Sequence, residues 1–192
     1  MSPLEIFAAV ITAYSVWLTA RENIWCWPTG IVSVILYAWI FWQARLYANA
    51  GLQVLYLVLC FYGWYEWLHG GKNRGELDVS RMPLRGWIAT IGAGAVAALL
   101  TGWAMKRWTD ASMPYSDAAT TAFSVAAEAM TTRKWIENWL FWIVIDGVTT
   151  WMLTVQKLYP SAVLYASFLV LAVIGWIEWK KSLKRAASAV SV

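Results

Sequence analysis

Within the run from Trp139 to Asp146 a single carboxylate follows two indoles, Trp139 and Trp142, in a stretch apolar enough to cross a bilayer. On a 3.6-residue helix positions 139, 142 and 146 share one stripe, which Trp135 and Thr149 extend in both directions. An Asp at mid-membrane costs about 3 kcal/mol on insertion scales, so it is expected to face a cavity, a partner or a ligand. Aromatic faces attract cations, by roughly 0.5 to 2 kcal/mol each when desolvated. The stripe therefore predicts a receptor for a flat, polar, preferably cationic molecule. The alternative is an interfacial tryptophan belt, with Asp146 paired to another helix.

Other side chains at membrane depth could join such a site. Gln53 can hydrogen-bond a ribose, a carboxamide or an aminopyrimidine, or serve as glue between helices. Tyr56 lies three residues on, on the same face, and Tyr37 and Tyr165 add two hydroxyls; each is equally at home in packing or an aromatic belt. Glu128, one turn inside its apolar run, is expected to snorkel toward Arg133 or Lys134. Glu66 and Glu178 occupy matching helix ends beside tryptophan, which suits a scaffold, and Asp110 and Asp117 flank Pro114 as solvated groups or an acidic vestibule. His69 is the only histidine, and Cys26 and Cys60 have neither disulfide nor metal-ligand spacing. With no zinc-protease pair, nucleophile elbow, Walker loop or glycine-rich dinucleotide turn, no catalytic residue, metal ligand or cofactor is expected.

Elements of membrane length must carry these residues. The chain has 192 residues, is 60% hydrophobic and only 14% charged, and has a mean hydropathy of +0.52, too little polar surface to cover a soluble globule. It reads as an all-α integral membrane protein whose partner is the lipid bilayer. The net charge of +4 sits in loops and tail, and nothing in the pattern suggests nucleic acid. The start, Met1 to Glu5, lacks the basic stretch of a signal peptide, so the first apolar run is read as retained.

Seven apolar runs, at 4–20, 24–43, 51–68, 86–105, 115–132, 136–155 and 160–179, predict seven transmembrane helices. Eleven basic residues lie on one side: Arg21, Lys72, Arg74, Arg81, Arg85, Arg133, Lys134, Lys180, Lys181, Lys184 and Arg185. Four, Arg45, Lys106, Arg107 and Lys157, lie on the other. This bias puts the amino terminus outside and the carboxyl terminus in the cytoplasm.

The chain also repeats itself. A shift of 112 positions lays Arg21 on Arg133, Trp27 on Trp139, Trp39 on Trp151 and Leu46-Tyr47 on Leu158-Tyr159. Gly63-Trp64 and Glu66-Trp67 then meet Gly175-Trp176 and Glu178-Trp179 without a gap. Because the shift spans an even number of crossings, the copies are parallel, the arrangement of transporters with a site at the midplane between repeats. The predicted organisation is a first triple-helix bundle at 1–68, a loop and linking helix at 69–113, a second bundle at 114–180 and a basic cytoplasmic tail at 181–192. Gly92 and Gly94 suit close packing of the linking helix. Gly30 and Val34 stand opposite Trp142 and Asp146, so only the second copy carries the full stripe. Pro28 and Gly30 instead break the opening of the second span, as a hinge for alternating access or as a simple kink.

Trp27-Pro28-x-Gly30-Ile31, Leu46-Tyr47-Ala48, Leu52-Gln53, Tyr62-Gly63-Trp64-Tyr65, Thr132-Arg133-Lys134 and Glu137-Asn138-Trp139-x-x-Trp142 resemble the PnuC family of bacterial vitamin transporters, best known for nicotinamide riboside. The resemblance spans both repeats. It implies a SWEET-like fold of three plus one plus three helices in the bacterial cytoplasmic (inner) membrane. It further implies facilitated diffusion of an unphosphorylated vitamin, trapping by a cytosolic kinase, and a homotrimer. Trp139 and Trp142 would flank the substrate ring, with Asn138 and Asp146 as polar contacts. Members of the nicotinamide riboside type commonly carry Asn where this chain has Asp146. A carboxylate suits either nicotinamide riboside or thiamine, both permanent cations; riboflavin and deoxynucleosides gain less from it. From a different class, an intramembrane enzyme or assembly factor would use Asp146 as acid, base or helix-pairing residue.

Overall fold

The computed structural model describes residues 3–71 and 74–190; Lys72, counted above among the basic residues, and the last two residues of the tail lie outside the described residues. Among the described residues seven helices follow one another: α1 (Pro3–Ala20), α2 (Cys26–Gln43), α3 (Tyr47–His69), α4 (Leu84–Trp108), α5 (Pro114–Thr132), α6 (Asn138–Val155) and α7 (Tyr159–Val190). Five, α1, α2, α4, α6 and α7, are long and apolar enough to cross a membrane. α3 and α5 are more polar, and α5 carries Asp117, Glu128 and a series of Ser and Thr. The last helix does not stop at the basic tail. Lys, Arg, Leu and Ala are good helix formers and no Gly or Pro interrupts them, so α7 continues to Val190.

The helix ends obey the 112-residue offset. α1 closes with Glu22 at φ 56° and a bond from the Asn23 N–H to the Leu18 carbonyl; α5 closes with Lys134 at φ 48° and a bond from the Trp135 N–H to the Met130 carbonyl. Arg45 (φ 59°) and Lys157 (φ 61°) end α2 and α6 in the same way. A left-handed residue just beyond the helix satisfies carbonyls that would otherwise lack partners.

Packing joins the helices in a closed order: α1 on α2, α2 on α3, α3 on α5, α5 on α6, α6 on α7 and α7 back on α1. α4 stands outside this ring against α5. There Gly94 lies under Phe123 and Gly102 under Tyr115, so close that a methyl would collide with either ring, while Gly92 faces open space. The close-packing expectation thus holds for Gly94, and Gly102 takes the part assigned to Gly92. Outward faces are apolar, with Val10, Ile35, Val58, Leu99, Val144 and Val170 exposed, as lipid contact requires.

At the basic end four tryptophans form the core between the two triplets of ring helices. Trp27 packs edge-on to Trp67 at 5.3 Å, Trp139 edge-on to Trp179 at 5.5 Å, and Trp67 meets Trp179 at 6.0 Å. Gly63 and Gly175 lie directly against Trp27 and Trp139. The Trp67 indole donates to the Thr131 carbonyl and the Trp179 indole to the Thr19 carbonyl, both at 3.0 Å. Every partner in one contact is 112 positions from its counterpart in the other. The segment between α3 and α4 caps this end: Ser80 exchanges backbone hydrogen bonds with Lys134 and Ile136, and the Met82 N–H donates to the Glu137 carboxylate at 2.8 Å.

Candidate functional site

Asp146 sits in the middle of α6, 5% exposed, and no hydrogen bond or ion pair joins it to another described residue. The alternative of a helix-pairing carboxylate finds no partner among those residues. The Tyr165 hydroxyl, from α7, lies within Coulombic reach of Asp146 on α6, Asp117 on α5 and Tyr37 on α2. A cavity of about 380 Å³ leads toward this region from the end opposite the basic loops, lined by Asp117, Thr120, Thr149, Gln156 and Tyr165 among others. A larger groove of about 670 Å³ between α4, α5 and α6 is almost wholly apolar, lined by Trp87, Ile91, Phe123, Phe141 and Val144; it lies on the flank of the ring and holds none of the expected site residues.

The two indoles of the stripe differ in surroundings. Trp139 is 2% exposed, between Trp179 and Gly175, and its ring N–H has no hydrogen-bond partner among the described residues. Trp142 is half-buried and touches both hydrophobic core clusters. Asn138 is fully buried at the start of α6: its amide donates to the Trp135 carbonyl at 2.6 Å, and its side-chain oxygen has no partner among the described residues. A buried acceptor left open is costly unless a donor arrives, and a ligand is one source of that donor.

From the other triplet, Tyr56 on α3 shares a short hydrogen bond with Ser124 on the neighbouring α5. Gln53, one turn earlier on α3, is half-buried and bonded to no other described residue. Tyr37 stacks on Phe41 at 5.8 Å and Tyr165 packs edge-on to Phe168. Pro28 falls in the first turn of α2, where a missing N–H leaves no bond unmade, and the helix runs unbroken through Gly30. A methyl at Gly30 would lie 3.3 Å from the Ser15 hydroxyl, so close packing of α1 on α2 is what that glycine provides here.

Glu128 corrects the sequence expectation. Arg133 stands over Tyr62 at 5.5 Å, and Lys134 turns away to Glu22, at 3.8 Å, and to the Trp67 ring, at 4.4 Å. Burial lowers the Lys134 pKa, while Glu22, Glu76 and Asp78 act in the opposite sense. Neither cation pairs with Glu128, because both follow the end of α5 at Thr132, five and six residues on, where no helical face is shared.

A family model described as nicotinamide mononucleotide transporter matches residues 2–181. The chain belongs to this family. Curated relatives of this transporter family include the nicotinamide riboside transporter PnuC of Escherichia coli (strain K12), 27% identical over 98% of this chain and 89% of its own. They also include the riboflavin/roseoflavin transporter RibM of Streptomyces davaonensis, 25% identical over 83% of this chain and 76% of its own. A crystal structure of the vitamin B3 transporter PnuC shares the fold, with a TM-score of 0.69 at 24% identity over 93% of this chain and 83% of that one. In this member of the family Asp146 and the Asn138 oxygen on α6 and Gln53 on α3, the two helices that flank α5 in the ring, have no partners among the described residues. Ser124 is the participant that side-chain chemistry alone did not single out; the signal was there in Asp117, Thr120, Ser124 and Glu128, spaced three, four and four along one face of α5.

Proposed function

We propose that this membrane transporter carries nicotinamide riboside, and that the observation carrying this reading is the buried, unpaired Asp146 inside the ring. A permanent pyridinium cation offsets that charge without a proton, and a flat ring suits the indole of Trp142 beside it. Asn138 and Gln53 supply open hydrogen-bonding groups for the carboxamide and ribose. Trp139 extends the aromatic stripe toward the core, and Tyr37, Tyr56 and Tyr165 add hydroxyls. The names of the relatives from Escherichia coli and other bacteria favour this substrate over riboflavin or thiamine, and a transporter over an intramembrane enzyme or assembly factor.

Seven crossings arranged as a parallel, SWEET-like three-plus-one-plus-three repeat account for the 112-residue offset in contacts. Rocking of one triplet against the other about the bound ring, with bending at the opening of α2 near Pro28 and Gly30, gives alternating access and facilitated diffusion. The positive-inside bias supports an orientation with the amino terminus outside, and the family resemblance supports the bacterial inner membrane as its place. Homotrimeric assembly and trapping by a cytosolic kinase are proposed with it on the family resemblance.

Calorimetric titration of detergent-purified protein with nicotinamide riboside, thiamine and riboflavin tests the reading. Wild type should bind nicotinamide riboside, and Asp146→Asn, which keeps the shape but not the charge, should bind it about tenfold more weakly. Binding of one of the other two vitamins alone would reassign the substrate; equal affinity of wild type and variant would remove the carboxylate from recognition.

A further inference from the structure

Asp146 is not the only carboxylate inside the ring without a partner among the described residues. Glu128, on α5, is half-buried, and no hydrogen bond or ion pair joins it to another described residue. It looks across to the first triplet, where Cys26 of α2 and Tyr56 and Cys60 of α3 lie within its Coulombic reach. The two neighbouring cations are engaged elsewhere, Arg133 over Tyr62 and Lys134 with Glu22.

The stripe along α5 connects this acid to the far end. Asp117 and Thr120 line the cavity opposite the basic loops, Ser124 bonds Tyr56 midway, and Glu128 follows one turn deeper. At 1.5 Å per residue Glu128 stands about 6 Å from the end of α5, and Asp146 about 12 Å from the start of α6 at the same basic end. The acids thus occupy successive depths, about 6 Å apart along the ring axis. Both lie in the second triplet, opposite Val16 and Val34 of the first, so neither belongs to the repeated scaffold.

We propose that Glu128 is a second cation station, which receives an organic cation after Asp146 and from which it departs at the basic end. An ionised carboxylate in an apolar wall is costly without a positive charge beside it, and no side chain among the described residues supplies one. Two stations at different depths lower the barrier between a single deep site and the solution, since the cation is never far from a compensating charge. The inference rests on the reading of the substrate as a cation.

The test uses purified full-length protein, calorimetry in detergent and uptake of nicotinamide riboside into proteoliposomes. Glu128→Gln should bind nicotinamide riboside within about twofold of wild type yet transport it about tenfold more slowly, and Glu128→Asp should recover most of the rate. A purely structural role would move binding and rate together and would not follow charge. The station is ruled out if Glu128→Gln transports at the wild-type rate, if it loses binding in step with transport, or if Glu128→Asp is as slow as Glu128→Gln. Wild-type protein that neither binds nor transports nicotinamide riboside sinks the substrate reading and the station with it, an outcome distinct from failure in the variants alone.

Discussion

The segments around α1–α3 and α5–α7 share an aromatic skeleton and differ in the polar groups they turn inward. Trp27, Gly63 and Trp67 in one occupy the places of Trp139, Gly175 and Trp179 in the other, down to the carbonyls that receive the two indole hydrogen bonds. At the depths where the second segment has Glu128 and Asp146, the first has Val16 and Val34; where it has Tyr165, the first has Gln53. Residues that hold helices together recur, because both segments face the same packing problem at the same end. Residues that meet a ligand need not recur, because an asymmetric molecule presents different chemistry to each wall. Positions that depart from the 112-residue correspondence are therefore the first to test as ligand contacts.

Substitutions in the skeleton should cost the two segments alike, and the largest effect belongs to the glycines. A Cβ at Gly63 would collide with the Trp27 ring and one at Gly175 with the Trp139 ring. Gly63→Ala and Gly175→Ala should each destabilise by about 1 to 3 kcal/mol, seen as lower thermal midpoints of the purified protein. A loss in one variant with none in the other would break the equivalence. Trp67→Phe and Trp179→Phe keep most of the ring and remove one hydrogen bond each, so about 1 kcal/mol is expected from either. Because these bonds tie the triplets together, comparing their transport rates sharpens the contrast: equal losses of stability with unequal losses of rate would show which contact breaks during transport.

Much of this was legible in the sequence because membrane helices announce themselves. The seven apolar runs match the seven helices within a few residues at most ends, and the offset of 112 foretold which tryptophans and glycines are equivalent. Asp146 stood out as a charge in an apolar run, and it is buried with no partner among the described residues. Less legible was anything set by contact between distant segments. Trp139 and Trp142 lie on one stripe by periodicity, yet the face of α6 that meets α7 takes Trp139 into the core while Trp142 stays half-buried. Sequence proximity drew Glu128 toward Arg133 and Lys134, but the left-handed turn at Lys134 sends that lysine to Glu22 on the other segment.

That ion pair offers the finest test of the equivalence. Glu22 and Lys134 are 112 positions apart, both left-handed and both just past a helix end, so the two members of the pair occupy the same place in their respective segments. The lysine also lies over Trp67, whose counterpart is Trp179. If the two environments are alike, exchanging the charges should leave the pair intact, with a lysine at position 22 finding Trp179 as Lys134 finds Trp67. Each single change, Glu22→Lys or Lys134→Glu, places like charges together and should destabilise by about 1 kcal/mol, since the Glu22 side chain is 25% exposed and partly screened. The double exchange should return to within about 0.5 kcal/mol of wild type, with thermal or denaturant unfolding as the readout. A double variant as unstable as the sum of the singles would mean that the offset organises backbone and tryptophans but not the charges between the two segments.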